Sequence, residues 1–255
     1  MPRPNDSQAC FPAGVSVCLN GSRYQLSTSL IDLLKNARQS YDWPRGTGSQ
    51  ASQQRIITLE TNVSAWMVHL SSADAHNIVV SVSSWAVNNK NAHNNIVGAT
   101  VNQQNQMRNA VNLLRNPTTA LQGLDELSNL PGLSLVIASK IYRFCAPTAG
   151  AAVDRHSSYF FNSLPIDNGF TTAFRREWSN GNHRTSRLAT YQNNVYIHNH
   201  AEYFDAYLPT LVSIADALNV GGHKFHCQAQ NINRCWTPAD VEMAAYYWWA
   251  CNGAR

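Results

Sequence analysis

The stretch that decides the fold runs from residue 127 to residue 162 and reads LSNLPGLSLVIASKIYRFCAPTAGAAVDRHSSYFFN. It begins with two predicted helices that are joined by a tight turn. Leu127 and Leu130 end the first helix, and Pro131-Gly132 is a residue pair typical of turns. The second helix begins near Ser134, where apolar residues recur at helical spacing. The stretch therefore predicts a helical hairpin.

A carboxylate follows this hairpin at the predicted start of a third helix. The Cys145-Ala-Pro147 segment ends the second helix, because proline has no backbone N–H and disfavours the helical conformation in the residue before it. A short loop then leads to Asp154, and Tyr159 and Phe160 follow within the next helix. Taken alone, an aspartate at this position is typical of a helix N-cap.

Two motifs in this stretch resemble those of the helix-hairpin-helix DNA glycosylases, the superfamily of endonuclease III. That signature is an L-P-G-hydrophobic-G hairpin followed by a loop that ends in V-D-x-H. This chain has Leu130-Pro131-Gly132-Leu133-Ser134 and Val153-Asp154-Arg155-His156, so Ser134 stands where the second glycine is usual. In lyase-active members a lysine lies six residues after the motif leucine and eighteen before the aspartate, and Val136 occupies that position here. The resemblance covers residues 127–162, with weaker helical similarity upstream to about residue 78.

The resemblance implies that Asp154 is the catalytic carboxylate of a monofunctional DNA N-glycosylase. A carboxylate near the sugar stabilises the oxocarbenium-like transition state and orients the attacking water. Because Val136 offers no amine, a Schiff base with the sugar and strand cleavage by lyase chemistry are not expected. The expected product is an intact strand that carries an abasic site.

The resemblance also implies contacts with double-stranded DNA and with a base that is flipped out of it. Trp85 would stack on the extruded base, Asn88 or Asn89 would read its edge or fill the gap, and Val136 would line the pocket. The hairpin would bind a phosphate through backbone N–H groups at a helix start, with the help of a monovalent cation. The residues expected to contact DNA are Pro131, Gly132, Leu133, Ser134, Lys140, Arg155, Arg184 and Arg187.

The sequence leaves the excised base open. Uracil or thymine in mismatches, alkylated purines, oxidised guanine and the enlarged bases of modified phage genomes are all compatible with the motifs. The amide-rich turn Asn88-Asn89-Lys90-Asn91 favours testing a hydrophilic enlarged base. Glucosylated hydroxymethylcytosine of phage DNA is one such base, and its excision would place the enzyme in antiviral defence rather than DNA repair.

Two alternatives from other classes also stay open. The chain is compatible with a non-catalytic helix-hairpin-helix DNA-binding protein, which the irregular Ser134 permits. It is also compatible with a helical protein that has no nucleic-acid role, which the low density of charge permits. Salt-sensitive DNA binding without base release would indicate the first alternative, and the absence of DNA binding at low salt would indicate the second.

The rest of the chain predicts an all-α, two-lobed helix-hairpin-helix glycosylase fold with a small irregular N-terminal arm. We expect residues 1–57 to form the arm and a helix that packs on the second lobe, residues 58–165 the glycosylase core with its catalytic loop, and residues 166–255 a C-terminal helical lobe. Apolar periodicity predicts helices over residues 27–41, 58–70, 92–115, 117–130, 167–178, 188–219 and 239–251. Residues 73–86 are compatible with a helix or a strand, because Ile78-Val79-Val80-Ser81-Val82 is rich in β-branched residues, and the resemblance implies a helix. A hairpin of strands is expected within the first 26 residues.

Composition restricts the class of protein further. A chain of 255 residues can bury a substantial core, but only 13% of its residues are charged, about half the usual share. The formal net charge of +4 permits DNA binding without demonstrating it, since about half a dozen phosphate contacts suffice for a strongly salt-dependent interaction. No apolar run is long enough for a membrane helix, and the first residues lack a signal peptide, so we expect a cytoplasmic monomer without a membrane partner.

Six cysteines are expected to be reduced thiols in that compartment. Some relatives carry a four-cysteine iron-sulfur cluster near the C-terminus, but Cys227, Cys235 and Cys251 are only three and widely spaced. We therefore expect no iron-sulfur cofactor. A zinc site that combines these cysteines with His223 or His226 stays open at this stage.

Overall fold

The computed structural model describes residues 11–86, 90–175 and 194–252. The described chain is mostly helical, which confirms the all-α class. Its helices are α1 (Thr28–Gln39), α2 (Ser49–Val68), α3 (Ser72–Trp85), α4 (Lys90–Val97), α5 (Val101–Leu113), α6 (Ala120–Ser128), α7 (Leu135–Cys145), α8 (Arg155–Ser163), α9 (Asn194–Glu202), α10 (Leu208–Val220) and α11 (Pro238–Asn252). A π-helical segment, Tyr203–Tyr207, connects α9 with α10. No helix among these residues is long and apolar enough to cross a membrane.

Short strands form two small sheets at the periphery of the helices. The strands are β1 (Val17–Asn20), β2 (Arg23–Leu26), β3 (Pro165–Ile166), β4 (Gly169–Phe170), β5 (Phe225–Cys227) and β6 (Ile232–Arg234). The hairpin expected near the N-terminus is confirmed by the antiparallel pair β1 and β2. Strand β1 also pairs in parallel with β3, where Val17 faces Ile166, so the N-terminal arm is tied to the chain that follows α8.

The helices fall into two groups according to their packing. Helices α2 to α7, from the middle of the chain, pack on one another, while α1, α8 and α10 all pack against α11. One continuous apolar core extends through both groups. The chain passes between the groups through residues 40–48 and again through residues 146–154. Tyr246 of α11 links the two passages, because its ring contacts Trp43 of the first and His156 beside the second at 5.5 and 5.3 Å between ring centroids.

The predicted single helix over residues 92–115 is wrong, because the chain breaks between α4 and α5. Thr100 is the N-cap of α5, and its hydroxyl accepts a hydrogen bond from the N–H of Gln103 at 3.3 Å. The side chain of Gln103 accepts from the N–H of Thr100 at 2.8 Å in return. This capping box satisfies backbone donors that a continuous helix would have paired, so it starts a new helix.

The predicted helix over residues 167–178 is also wrong within its described part. Strands β3 and β4 form a hairpin there, and residues 171–175 are not helical. Asn168 has a φ of 63° and is followed by Gly169. Asparagine tolerates the positive φ that tight hairpin turns require, so the two-residue turn Asp167-Asn168 overrides the weak helical periodicity.

Other element boundaries differ from the predictions by a few residues. Helix α2 begins at Ser49 rather than at residue 58, and the predicted boundary between residues 57 and 58 lies within it. Helix α6 begins after Thr119 rather than at Pro117. The described part of the predicted helix 188–219 consists of α9, the π-helical segment and α10, with Pro209 in the first turn of α10, where a missing N–H is tolerated.

The predicted hairpin between α6 and α7 is confirmed, and its glycine has a structural role. Gly132 has a φ of 85°, a conformation that L side chains rarely adopt. A Cβ at this position would lie 2.5 Å from the carbonyl oxygen of Ala92. The turn therefore needs a glycine both for its backbone conformation and for its close approach to α4.

We expect Gly132→Ala to lower the free energy of unfolding by about 2–3 kcal/mol, the sum of backbone strain and overpacking. Urea unfolding measures this loss. Gly222→Ala is a matched control, because Gly222 has a φ of 71° but a Cβ added there would meet no atom within 4 Å. It should lose only the strain, about 1 kcal/mol. Equal losses in the two variants would contradict a role for the contact with Ala92.

Candidate functional site

Asp154 begins helix α8 as predicted from the sequence. Its Oδ1 accepts hydrogen bonds from the backbone N–H groups of His156 and Ser157 at 2.8 and 3.0 Å. The hydroxyl of Ser157 accepts from the N–H of Asp154 at 3.0 Å, which completes a capping box. No donor among the described residues reaches Oδ2. One carboxylate oxygen is therefore held by the helix, and the other is available.

The loop before Asp154 is anchored at three consecutive residues. The N–H of Val153 donates to Ser139 Oγ at 3.0 Å. The hydroxyl of Tyr207 donates to the carbonyl of Ala152 at 2.7 Å, and that of Tyr203 donates to the carbonyl of Ala151. Both tyrosines are fully buried in the π-helical segment, a type of distortion that is frequent near functional sites. Sequence reasoning missed both, since only their aromatic character and helical spacing were visible.

A second carboxyl group, Glu242 of α11, lies close enough to Asp154 for the two charges to act on each other. Glu242 is only 5% exposed. Burial and, to a smaller extent, the negative charge of Asp154 raise the pKa of Glu242 to about 8, against the opposing charges of Arg143, Lys140 and Arg38. Glu242 is therefore a neutral acid below about pH 8.

The raised pKa of Glu242 predicts a pH-dependent cost in stability. The unfolded chain releases this proton near pH 4.5 and the folded chain near pH 8, so the free energy of unfolding falls between these values and levels off above them. Glu242→Gln removes the titration. We expect the variant to gain about 2–4 kcal/mol relative to wild type between pH 4 and pH 9, measured by urea unfolding at both. A stability difference that does not change with pH would contradict the raised pKa.

Arg143 of α7 is a buried cation beside this pair. Its Nη2 lies 3.2 Å from Glu60 Oε1 and 3.7 Å from Met243 Sδ. Its guanidinium carbon lies 4.2 Å from the ring centroid of Phe144 and 5.7 Å from that of Trp85. Nε and Nη1 are buried and make no hydrogen bond with any described residue. Buried donors of this kind are costly, and a bound polar group can satisfy them.

Lys140 lies in the middle of α7, and its ammonium group approaches two indole rings. Its Nζ is 5.7 Å from the ring centroid of Trp43 and 5.9 Å from that of Trp85. The residue is 8% exposed, which differs from the exposed position that the predicted phosphate contact requires. Val136, four residues earlier on α7, is half-buried. Residues at this spacing share a helix face. The amine on the Val136 side of α7 is therefore that of Lys140, one helical turn later.

Trp85 is part of an aromatic frame around these charges. It ends α3 instead of lying in an open turn, and it is half-buried. Its carbonyl accepts a hydrogen bond from Trp43 Nε1 at 3.0 Å. The ring of Trp43 meets the edge of Tyr246, whose own ring meets His156, two residues after Asp154. The frame therefore connects the end of α3 to the start of α8.

A cleft of about 660 Å³ opens beside Trp85 between α2 and α3. Pro44 and Trp85 contribute apolar surface to it. Its polar lining residues are Gln54, Arg55, Thr58, Asn62, Ser81 and Ser84. The volume lies within the range of about 300–1,000 Å³ that is typical of small-molecule sites. The ring of Trp85 also approaches Lys140, but Lys140, Arg143, Asp154 and Glu242 are not among the residues that line the cleft.

The hairpin residues present mainly backbone to their surroundings. Ser134 is the N-cap of α7, but its side chain makes no capping hydrogen bond. Pro131 is exposed, whereas the side chain of Leu133 is buried, so Leu133 can contact a ligand only through its backbone. Arg155 is exposed at the start of α8. The start of α7 therefore keeps N–H groups that its own N-cap side chain does not use.

Four of the predicted site residues lie outside the described part of the chain, and the described part contains no metal-binding group. Asn88, Asn89, Arg184 and Arg187 lie outside the described residues. Within the described ranges, no group of three or more His, Cys, Asp or Glu side chains could hold a metal ion. Cys227 is buried in β5, and Cys235 and Cys251 are exposed. The described residues thus contain no candidate zinc or iron-sulfur site.

Four residues form what we call the charged cluster: Asp154, Glu242, Lys140 and Arg143. Helices α7 and α11 and the start of α8 contribute to it; Glu242, Lys140 and Arg143 are buried, whereas Asp154 is half-buried. The chain matches no protein-family model, no curated protein and no solved structure. A function can therefore be inferred only from the residues of this site and from the motifs around it.

Proposed function

We propose that the protein is a monofunctional DNA N-glycosylase of the helix-hairpin-helix type, with Asp154 as its catalytic carboxylate. The observation that carries the proposal is the position of Asp154, which starts α8 directly after the α6–α7 hairpin. One of its oxygens is held by the helix cap, and no described residue donates to the other. A carboxylate that is fixed in orientation but keeps an available oxygen suits the stabilisation of a cationic sugar.

The surroundings of Asp154 support this chemistry. Breaking an N-glycosidic bond places positive charge on the sugar, and a carboxylate within a few ångströms stabilises that charge more strongly where water is excluded. Three anchored loop residues and two buried tyrosines hold Asp154 in place, so little reorganisation is needed during the reaction. The same carboxylate can accept a proton from the water that attacks the sugar carbon.

Double-stranded DNA is the partner in this proposal. The start of α7 offers backbone N–H groups and the positive end of a helix dipole to a phosphate, with or without a bound monovalent cation. Arg155 is exposed beside Asp154 and can contact the backbone of the same strand. Arg184 and Arg187 stay predicted phosphate contacts. Lys140 is omitted from this set because it is buried.

The proposed substrate is a damaged or modified base, with a polar enlarged base as the first candidate. The cleft beside Trp85 has amide, hydroxyl and guanidinium side chains that can hydrogen-bond a hydrophilic adduct. An indole ring beside such groups can stack on a base or a sugar. Glucosylated hydroxymethylcytosine of phage DNA fits this description, which would give the enzyme a role in antiviral defence. Asn88 and Asn89 stay predicted readers of the base.

A base-release assay tests the proposal. Wild-type protein is incubated with duplexes that contain uracil, alkylated or oxidised bases, and with unmodified and glucosylated phage DNA. We expect sites that break only after alkali treatment on at least one of these DNAs, and no covalent complex after borohydride reduction. DNA binding without base release on the whole panel would instead support a non-catalytic helix-hairpin-helix protein. Absence of binding at low salt would contradict both proposals.

A further inference from the structure

Glu242 is a buried carboxyl group without a partner. It is 5% exposed, and no described residue donates a hydrogen bond to it or forms an ion pair with it within 4.0 Å. The other buried acid of α11, Asp240, differs in this respect, because Arg38 lies 2.8 Å from its Oδ1. An unpaired charge inside a protein is costly, so this environment favours the neutral acid. A neutral carboxylic acid is a hydrogen-bond donor.

The neighbours of Glu242 place it beside Asp154 and α7. Tyr246 follows Glu242 by one helical turn on the same face, and its ring meets that of His156 at 5.3 Å. His156 is two residues after Asp154. Met243, next to Glu242, receives a hydrogen bond from Arg143 at 3.7 Å. Glu242 is thus enclosed between the start of α8 and the cationic residues of α7.

Charged and titratable groups act on Glu242 from each element around it. They are Arg38 of α1, Tyr41 after α1, Lys140 and Arg143 of α7, Asp154 at the start of α8, Tyr203 and Tyr207 of the π-helical segment, and Tyr246 of α11. Three of these groups are cations that favour the ionised carboxylate. Burial and the charge of Asp154 outweigh them, so the pKa of Glu242 is raised to about 8.

We propose that Glu242 is a second catalytic carboxyl group, which donates its proton to the departing base. This role rests on the proposed glycosylase function. A carboxyl group whose surroundings favour the neutral form is suited to act as an acid, and a second carboxyl group beside it can act as the base. Asp154 stabilises the sugar and accepts a proton from water, while Glu242 makes the base a better leaving group.

The proposed step conserves protons and electrons. The bond between the sugar C1′ and the base nitrogen breaks, and its electron pair stays with the base. The proton of Glu242 bonds to a nitrogen or oxygen of that base, which leaves Glu242 as a carboxylate. Water then forms a bond to C1′ and gives one proton to Asp154. Transfer of that proton from Asp154 to Glu242, directly or through solvent, restores both groups, and the products are the free base and an abasic site.

The pH dependence of base release tests the role of Glu242. The substrate is the DNA of the panel on which wild type forms alkali-labile sites, and single-turnover rates are measured between about pH 6 and pH 9.5. We expect the wild-type rate to fall above about pH 8, as Glu242 ionises. Glu242→Gln cannot transfer a proton, so it should be about 10²-fold slower at neutral pH and should lack this fall.

Glu60→Gln is the matched control. It removes the other glutamate next to Arg143, the one in the 3.2 Å ion pair, and leaves Glu242 unchanged. We expect this variant to keep the fall in rate above about pH 8. Loss of the alkaline fall in Glu60→Gln would show that the fall reports the charge around Arg143 rather than Glu242, and the proposal would be overturned.

A direct titration keeps the proposal testable without a substrate. Wild-type protein labelled with ¹³C at the glutamate carboxyl carbon is titrated by NMR, and the Glu242 signal is assigned by its absence in Glu242→Gln. A signal that titrates near pH 8 supports the proposal, and one that titrates in the range of exposed glutamates overturns it.

The outcomes separate this proposal from the proposed function. Base release by Glu242→Gln at the wild-type rate, with the same pH profile, would overturn the acid role and leave the glycosylase in place. No base release by wild type on any DNA of the panel would remove the proposed function and the acid role together. Slow, pH-independent base release by Glu242→Gln, with the alkaline fall kept in Glu60→Gln, supports both the acid role of Glu242 and the proposed function.

Discussion

Asp154→Asn is expected to slow base release by about 10²-fold or more and to leave DNA binding nearly unchanged. Asparagine keeps a side-chain oxygen at the place where Oδ1 of Asp154 accepts from the N–H groups of His156 and Ser157. Asparagine is also a good N-cap residue, so α8 should form normally. The substitution removes only the negative charge that would face the sugar.

The assay compares single-turnover base release and DNA binding for wild type, Asp154→Asn and Asp216→Asn. Asp216 is exposed on α10, and its substitution makes the same chemical change away from the charged cluster. We expect this control to act at the wild-type rate. Normal turnover by Asp154→Asn would exclude Asp154 as the catalytic carboxylate. A parallel loss of DNA binding would indicate instead that the residue only supports the structure of the interface.

Asp240→Ala is expected to lower the free energy of unfolding by about 3–5 kcal/mol. Asp240 Oδ1 lies 2.8 Å from Arg38 Nη2 and accepts from Arg38 Nε at 2.9 Å, and both side chains are at least 95% buried. Asp240 Oδ2 accepts from the hydroxyl of Thr237 at 2.7 Å, which caps α11. The substitution leaves a guanidinium buried between α1 and α11 without its counterion, and this desolvated charge dominates the cost.

Urea unfolding measures the effect, and Asp74→Ala is the control for the cap. Asp74 closes the same kind of capping box at the start of α3, with Ser71, but no buried cation depends on it. A much smaller loss is expected in this variant. The double variant Arg38→Met with Asp240→Leu should recover most of the loss, because it removes both charges. A single-variant loss no larger than that of Asp74→Ala would contradict the importance of the ion pair.

Helix starts were the features of the fold that the sequence predicted best. Ser27 and Asp154 each mark the beginning of a helix, as predicted, and their side chains accept hydrogen bonds from its first N–H groups. A cap depends on hydrogen bonds between residues that are two or three positions apart, so the information is local. Thr100 carries the same signal and was missed, because apolar residues recur at helical spacing on both sides of it and suggested one helix.

Features that depend on distant partners were predicted less well. The turn of the β3–β4 hairpin, Asp167-Asn168, is a local feature, but β3 also pairs with β1, where Val17 faces Ile166. Lys140 was expected to be exposed, yet the rings of Trp43 and Trp85 enclose its ammonium group. The partners come from segments far apart in the chain, and the periodicity of α7 alone cannot indicate which rings will cover one of its lysines.

The candidate site also combines features that depend on neighbouring residues with features that depend on distant ones. By itself, the sequence determined that the chain is mostly helical, that a hairpin precedes Asp154 and that Asp154 starts a helix, because turns and caps are built from neighbouring residues. Only the tertiary structure decided that Glu242 lies beside Asp154 and that Glu242, Arg143 and Lys140 are buried close to one another. Helix packing brings these charges out of water and close together, and no local pattern in α11 records where Glu242 will lie.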